Sequence, residues 1–151
     1  RRLVEQLREL DPDIAISTDI IVGFPGEREE DFKDTLKFVR EMAFSRLHVF
    51  KYSPREGTPA AKYPDRVEPP VAEERSSKLR ELGNKLAADY AARFVNKKLD
   101  VLLEREVKAG IMEGLTEHYL RVHVEASSEQ RGKIMPILIT KTSNSLLFGK
   151  L

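Results

Sequence analysis

Two short segments of this chain contain residue types that could do chemistry. The first is residues 18–24, TDIIVGF, a β-branched apolar run with one acid inside it. Side chains alternate along a strand, so Asp19, Ile21 and Gly23 share one face. Because a carboxylate is costly to bury beneath helices, we expect this face to look into a cavity, where the glycine lets another group approach the backbone closely. An Asp19 in bulk solvent, or a strand outside any parallel sheet, would contradict this hypothesis.

The second segment is the loop of residues 52–61, YSPREGTPAA. Arg55 offers a planar fork for a phosphate or a carboxylate. Ser53 and Thr58 add hydroxyl groups, and the prolines restrict the path of the loop. Taken alone, the loop fits a rigid, solvated surface segment as well as a binding segment. Neither segment contains an acid–base arrangement, so we predict no catalytic residue, and the three histidines lack the spacing of a metal site.

The elements around these segments alternate between helix and strand. Asp11-Pro12 ends a first amphipathic helix, and the apolar run that follows is typical of a strand buried on both faces. A helix and a second strand come next, which together predict a βαβ unit with parallel strands. The predicted elements are helix 1–10, strand 14–24, helix 27–42, strand 46–52 and, after a proline-rich loop, helix 71–94.

From residue 97 onward the pattern changes to short stretches that alternate between apolar and polar residues. About five such strands in some fifty residues indicate a small all-β barrel. The strands that can be named from the pattern are 99–103, 120–124, 134–140 and 145–148. We therefore predict one domain over residues 1–96 and a second over 97–151, with the boundary near Asn96.

One strand of this second part combines aromatic and basic side chains. With its leucine and valines directed inward, Tyr119, Arg121 and His123 should face outward together. An aromatic ring beside a guanidinium group suits the stacking of an unpaired base, and Arg105 and Lys141 are candidates for phosphate contacts. A solvated strand face is the alternative interpretation, since acidic and basic residues are nearly balanced.

Composition excludes several classes of protein. The chain has 26 basic and 25 acidic residues, a net charge of +1, so it is neither an acidic tail nor a basic arm. No apolar run approaches the ~20 residues of a membrane helix. The chain has no cysteine, and therefore no disulfide, thiolate metal ligand or cysteine nucleophile. Because it begins Arg1-Arg2-Leu3, we expect it to be a piece of a longer protein.

The two chemical segments together resemble the methylthiotransferase group of radical S-adenosylmethionine enzymes. TDIIVGFPGE at residues 18–27 is similar to the fifth barrel strand of that superfamily, and HVFKYSPREGTPAA at 48–61 is similar to the sixth strand and its loop. The second phrase is most similar to the branch that methylthiolates N6-threonylcarbamoyladenosine in tRNA. Residues 101–104, 114–119, 122–124 and 147–151 resemble the TRAM module of these enzymes.

The resemblance implies a fold of α/β plus all-β class. It implies the C-terminal part of a partial (β/α) barrel, followed by a small five-stranded, OB-like TRAM β-barrel that holds tRNA. It also implies a cytoplasmic enzyme that inserts sulfur and a methyl group at C2 of a modified adenosine. The parent protein would use S-adenosyl-L-methionine and two [4Fe–4S] clusters, whose cysteine ligands are absent from this chain, so we expect the chain alone to be inactive.

Site residues follow from the same resemblance by motif matching. The cofactor contacts implied are Asp19, Ile21, Gly23 and Glu27. The substrate contacts implied at the mouth of the site are Tyr52, Ser53, Arg55 and Thr58.

Two alternatives stay open. One is a related enzyme that acts on isopentenyl-adenosine in tRNA or on an aspartate of a ribosomal protein. The other is a non-catalytic RNA-binding module. A Cys-x3-Cys-x2-Cys motif upstream of Arg1 in the parent gene would favour the enzyme over the binding module.

Overall fold

The structure is a computed structural model that describes all 151 residues, in two compact units. The first unit comprises Arg1–Glu5 and Ile16–Leu86, and the second comprises Gln6–Ala15 and Ala87–Leu151. The predicted domain boundary near Asn96 stays a prediction. None of the helices has both the length and the apolar character that a membrane crossing requires.

Helices and strands follow the predicted order along the chain. The helices are α1 (Arg2–Leu10), α2 (Glu29–Met42) and α3 (Pro69–Ala92). The strands are β1 (Ser17–Val22), β2 (Arg46–Lys51), β3 (Lys98–Lys108), β4 (Ile111–Thr116), β5 (Arg121–Glu125), β6 (Ile134–Ser143) and β7 (Leu146–Lys150). Short 3₁₀ turns lie at Pro59–Lys62 and Ser128–Gln130.

The predicted βαβ unit is confirmed. β1 and β2 pair in parallel, with Ser17 opposite Arg46 and Val22 opposite Lys51. α2 connects them and begins with three acidic residues, where negative charge favours the helix dipole. A continuous apolar core forms beneath this sheet from Val22, Phe32, Val39, Met42, Phe44, Leu79 and Leu86.

The expectation that β1 is buried on both faces is wrong for this chain. Burial alternates along the strand: Asp19 and Ile21 are exposed, Ile20 is half-buried and Val22 is fully buried. The physical reason is that the sheet has only two strands, and the apolar core covers one of its faces. The strand is also shorter than the predicted 14–24, since residues 14–16 lie before β1 and residues 23–24 lie after it.

The predicted small β-barrel is confirmed as a closed five-stranded barrel with strand order β3-β4-β5-β7-β6. All neighbours are antiparallel except β5 and β7, which run parallel. Alternate residues point inward and form the core, including Leu99, Val101, Leu103, Val122, Val124, Ile137, Ile139 and Leu147. The alternating pattern does not predict the position of β4, because the Glu113-Gly114 pair interrupts it.

Asp13 ties the segment after α1 to the residues that follow α3. Its carboxylate accepts hydrogen bonds from Lys97 Nζ at 2.6 Å and Arg93 Nη2 at 2.8 Å. The hydrogen bond from Lys97, aided by the charges of Lys97 and Arg93, outweighs partial burial and holds the pKa of Asp13 below its ordinary value of 3.8. This cluster is therefore a source of pH-dependent stability in the second unit.

Replacing Asp13 by asparagine should lower the free energy of unfolding by about 1 kcal/mol at pH 7. Because the folded-state pKa is lowered, the carboxylate stabilises above the unfolded-state pKa, and the effect is lost as pH falls through the folded-state pKa. Urea unfolding of the unmodified chain and of Asp13→Asn should therefore give free energies of unfolding whose difference becomes smaller from about pH 4 downward. If the two free energies of unfolding differ as much at pH 3 as at pH 7, the stabilising role of the Asp13 carboxylate is wrong.

Candidate functional site

Asp19 and Ile21 lie side by side on the outer face of the two-stranded sheet. Asp19 is opposite His48 and Ile21 is opposite Phe50 in the parallel register. Ile21 is 55% exposed and Phe50 is 53% exposed, so two large apolar side chains stand uncovered next to a carboxylate. The shared face predicted for Asp19 and Ile21 is therefore confirmed, but the expectation that this face looks into a cavity is wrong for this chain, because Asp19 is exposed.

Asp19 also lines a shallow groove of about 450 Å³ between β1 and α2. Asp31 and Asp34 from α2 line the same groove. No group of three or more histidine, cysteine, aspartate or glutamate side chains is arranged to hold a metal ion.

Gly23 occupies a different environment from Asp19 and Ile21. It is buried, with φ at +72°, a backbone conformation that favours glycine. A Cβ at this position would lie 2.8 Å from the Ala72 Cβ, on the first turn of α3. Gly23 therefore does permit a close approach, as predicted, but the group that approaches is α3 of the same unit.

Glu27 closes the loop that follows β1. Its Oε2 accepts a hydrogen bond from the Gly23 backbone N–H at 2.5 Å and from Arg75 Nη1 at 2.8 Å. Arg75 Nη1 also donates to the Glu27 carbonyl oxygen at 3.0 Å, and its guanidinium lies 5.4 Å from the centre of the Phe32 ring. The Glu27–Arg75 ion pair is nearly excluded from solvent, with side chains 11% and 7% exposed. In this chain Glu27 therefore holds the loop against α3.

The second predicted segment leaves the end of β2 as an exposed loop. Ser53, Arg55 and Thr58 are all exposed. The Thr58 hydroxyl donates to the Arg55 carbonyl at 2.7 Å, which fixes a turn in the loop. The ring centres of Tyr52 and Phe24 lie 5.1 Å apart in an edge-to-face arrangement, and the Tyr52 hydroxyl is buried without a hydrogen-bond partner.

On the barrel, five side chains form one continuous row across all five strands. The strand register places Arg105 on β3 opposite Glu113 on β4, Glu113 opposite His123 on β5, His123 opposite Phe148 on β7, and Phe148 opposite Lys141 on β6. We call these residues the cross-strand row. With strands about 4.8 Å apart, the row follows about 19 Å of curved surface. It brings together three of the five residues predicted to bind RNA: Arg105, His123 and Lys141.

Glu113 is the buried acid within this basic surface. Its Oε1 accepts from Arg105 Nε and Nη2 at 3.0 and 2.8 Å, and its Oε2 lies 3.1 Å from His123 Nε2. A carboxylate only accepts hydrogen bonds, so His123 Nε2 carries the hydrogen in this contact. Burial raises the pKa of Glu113, but the hydrogen bonds from His123 and Arg105 outweigh it and hold this pKa below its ordinary value.

Arg121 lies beside the cross-strand row, two residues before His123 on the same face of β5. Its Nη1 contacts Glu104 and lies 3.5 Å from Glu113 Oε1. At the other end of the row, Lys141 Nζ lies 5.2 Å from the centre of the Phe148 ring, and the ring centres of His123 and Phe148 lie 5.8 Å apart with the two rings nearly perpendicular. The basic side chains are thus held by charge-assisted hydrogen bonds and ring contacts.

The sequence predicts that Tyr119 lies on the outer face of β5 beside Arg121. This prediction is wrong, because β5 begins only at Arg121. Tyr119 occupies the β4–β5 turn with φ at +58°, and its N–H donates to the Thr116 carbonyl at 3.0 Å. The Thr116 hydroxyl also accepts from the His118 and Leu120 backbone N–H groups, which fixes the turn. Tyr119 is consequently displayed at a turn tip, 77% exposed.

Sequence reasoning missed Arg75, Glu113 and Phe148. Arg75 is one of many charged residues on a helix, and nothing in its spacing singles it out. Glu113 does carry a signal, since it is an acid between the apolar residues Met112 and Leu115 in a short segment. Phe148 was expected only as part of a closing strand.

Comparison with curated proteins relates the chain to a tRNA-modifying enzyme. It is 39% identical over 142 residues to threonylcarbamoyladenosine tRNA methylthiotransferase MtaB of Bacillus subtilis (strain 168). The alignment covers 91% of this chain and 32% of that relative, so the chain spans about a third of the relative's length. A scan against protein-family models gives no match. The resemblance to the methylthiotransferases that the sequence predicts is confirmed by this comparison.

Proposed function

We propose that this chain is part of a tRNA methylthiotransferase that modifies C2 of N6-threonylcarbamoyladenosine, and that its barrel holds the tRNA. The similarity to a protein of that name, over 91% of the chain, supports the enzyme class and the substrate. tRNA as the partner and the cytoplasm as the location belong to the same proposal. The parent protein, and not this chain alone, would carry out the reaction.

S-adenosyl-L-methionine would supply the radical and the methyl group when bound to the parent protein. Of the four predicted cofactor contacts, Asp19 and Ile21 fit that role best, because they present a carboxylate and an uncovered apolar side chain on one sheet face. Gly23 and Glu27 fit it less well, since the Gly23 N–H, the Glu27 carboxylate and Arg75 bind one another. They would instead shape the loop beside the cofactor.

The iron–sulfur clusters have no ligands within this chain. Cluster irons are held by cysteine thiolates, and the chain contains no cysteine. Tyr52, Ser53, Arg55 and Thr58 are proposed to contact the substrate from the loop after β2, with the exposed guanidinium of Arg55 suited to a phosphate or carboxylate group.

The cross-strand row is the observation that carries the RNA role. Arg105, Arg121 and Lys141 supply positive charge on three of the five barrel strands, and Tyr119 supplies an uncovered aromatic ring on the same hairpin as Glu113. Phosphate contacts by basic side chains and stacking of unpaired bases on aromatic rings are the two main contributions to single-stranded RNA binding. The net charge of the chain is only +1, so total charge does not support RNA binding. The proposal is supported by the positions of the basic residues on one surface.

The chain should bind tRNA weakly, and its affinity should fall as salt concentration rises, because phosphate contacts release counterions. Fluorescence anisotropy with labelled tRNA between 25 and 200 mM salt would measure this. A DNA duplex of equal length serves as the control ligand and should bind more weakly. A well-folded chain that does not bind tRNA at 25 mM salt would overturn the RNA role of the barrel.

Replacing Tyr119 by alanine should weaken tRNA binding by about 1–3 kcal/mol, the range for loss of one base stack. Replacing Arg121 by alanine should weaken binding and lower the salt dependence by about one ion, because one phosphate contact is lost. Arg131→Ala is the matched control, as it removes an exposed arginine outside the row. If all three variants bind tRNA equally, the assignment of Tyr119 and Arg121 is wrong.

A further inference from the structure

We infer that Glu113 is a positioning residue of the RNA-binding surface, a role that rests on the proposed function of the barrel. An acid in the middle of a surface that binds a polyanion should weaken binding by simple repulsion. Glu113 is nevertheless buried within the cross-strand row, where it contacts three basic or ionisable side chains.

The contacts show what this carboxylate does. Arg105 has a side chain that is 67% exposed, so without a partner it would sample many rotamers. Two of its N–H groups donate to Glu113 Oε1, which leaves the far edge of the guanidinium free for a phosphate. The other carboxylate oxygen holds the His123 ring in its perpendicular contact with the Phe148 ring. One buried acid therefore fixes side chains from the first and third strands of the barrel order.

Fixing these side chains before RNA arrives lowers the conformational entropy that binding must overcome. The carboxylate itself is screened from the RNA because it lies beneath the side chains that it orients. The orientation of Arg105 and His123 by Glu113 should therefore outweigh its repulsion of the phosphates.

If Glu113 positions its neighbours, removing its charge should weaken tRNA binding, whereas a purely electrostatic role predicts tighter binding. Replacing Glu113 by glutamine removes one negative charge, which by charge alone would strengthen tRNA binding at low salt and have no effect at high salt. We expect the reverse: Glu113→Gln should weaken tRNA binding several-fold, Glu113→Ala about tenfold, and the loss should grow with salt as the compensating charge effect is screened.

Glu125→Gln is the matched control. Glu125 lies on the same face of β5 as Arg121 and His123, is exposed, and undergoes the same change of charge. The Glu125→Gln variant should bind tRNA slightly more tightly than the unmodified chain at 25 mM salt, and equally tightly at 200 mM. Circular dichroism would establish that each variant is folded before binding is measured.

A second measurement uses the unmodified chain without RNA. ¹⁵N relaxation of the arginine Nε–H groups should show Arg105 held rigidly and Arg131 mobile. Equal mobility of the two would overturn the inference, as would Glu113→Gln binding tRNA as tightly as Glu125→Gln. Failure of the unmodified chain to bind tRNA would overturn the RNA role instead, and Glu113 would then have no RNA-positioning role.

Discussion

Replacing Arg75 by alanine should destabilise the first unit by about 3–5 kcal/mol, the range for removing one partner of a buried ion pair. The loss is large because Glu27 would stay buried with its charge uncompensated. Glu27 also accepts the Gly23 N–H, so the loop after β1 and the first turns of α3 would lose their connection together. Urea unfolding of the full chain, followed by circular dichroism at 222 nm, would show the loss as a lower midpoint.

Two further variants test whether charge is the cause. Arg75→Met keeps much of the side-chain volume and should destabilise nearly as much as alanine, because the buried carboxylate is again left alone. Adding Glu27→Gln to Arg75→Met should recover part of the loss, since the unpaired charge is then removed.

The control lies on the same helix. Arg80 pairs with Glu73, and both side chains are more than half exposed, so Arg80→Ala should change the midpoint little. An Arg75→Ala midpoint equal to that of Arg80→Ala would contradict the structural role assigned to the Glu27–Arg75 pair.

The first unit shows what a sequence can and cannot reveal about a site. The βαβ order and the shared face of Asp19 and Ile21 follow from periodicity, because alternation along a strand is a local property. The environment of Gly23 does not, since it depends on where α3 returns some fifty residues later. For the same reason the ion pair of Glu27 with Arg75 could not be predicted, whereas the contact of Glu27 with a cofactor, which follows from the family resemblance, stays a prediction.

In the barrel, too, the sequence predicts local alternation along a strand but not contacts between strands. Inward residues such as Val122 and Val124 were predictable from their alternation, and so was the outward direction of Arg121 and His123. The cross-strand row was not predictable, because its members come from five strands whose registers are set by turns and bulges, including the shift between Leu103 and Arg105. Tyr119 was misplaced because its left-handed turn cannot be recognised from residue types that usually avoid that conformation.

Gly114 lies where the barrel packs tightly against the backbone of β3. It pairs with Leu103 on one side and Val122 on the other. A Cβ at this position would lie 2.5 Å from the Val101 Cγ1 and 2.6 Å from the Leu102 carbonyl oxygen. The valine side chain could turn away, but the carbonyl belongs to β3 and cannot move without disturbing the sheet.

Replacing Gly114 by alanine should therefore destabilise the barrel by about 3 kcal/mol, the upper part of the range for overpacking. Thermal unfolding should show a clearly lower midpoint. Gly110→Asn is the control in the same hairpin, because nothing lies within 4 Å of its Cβ position and asparagine tolerates the positive φ of +75°. Since that variant adds a larger side chain at little cost, a Gly114→Ala protein as stable as Gly110→Asn would show that β3 and β4 are not as closely paired as described.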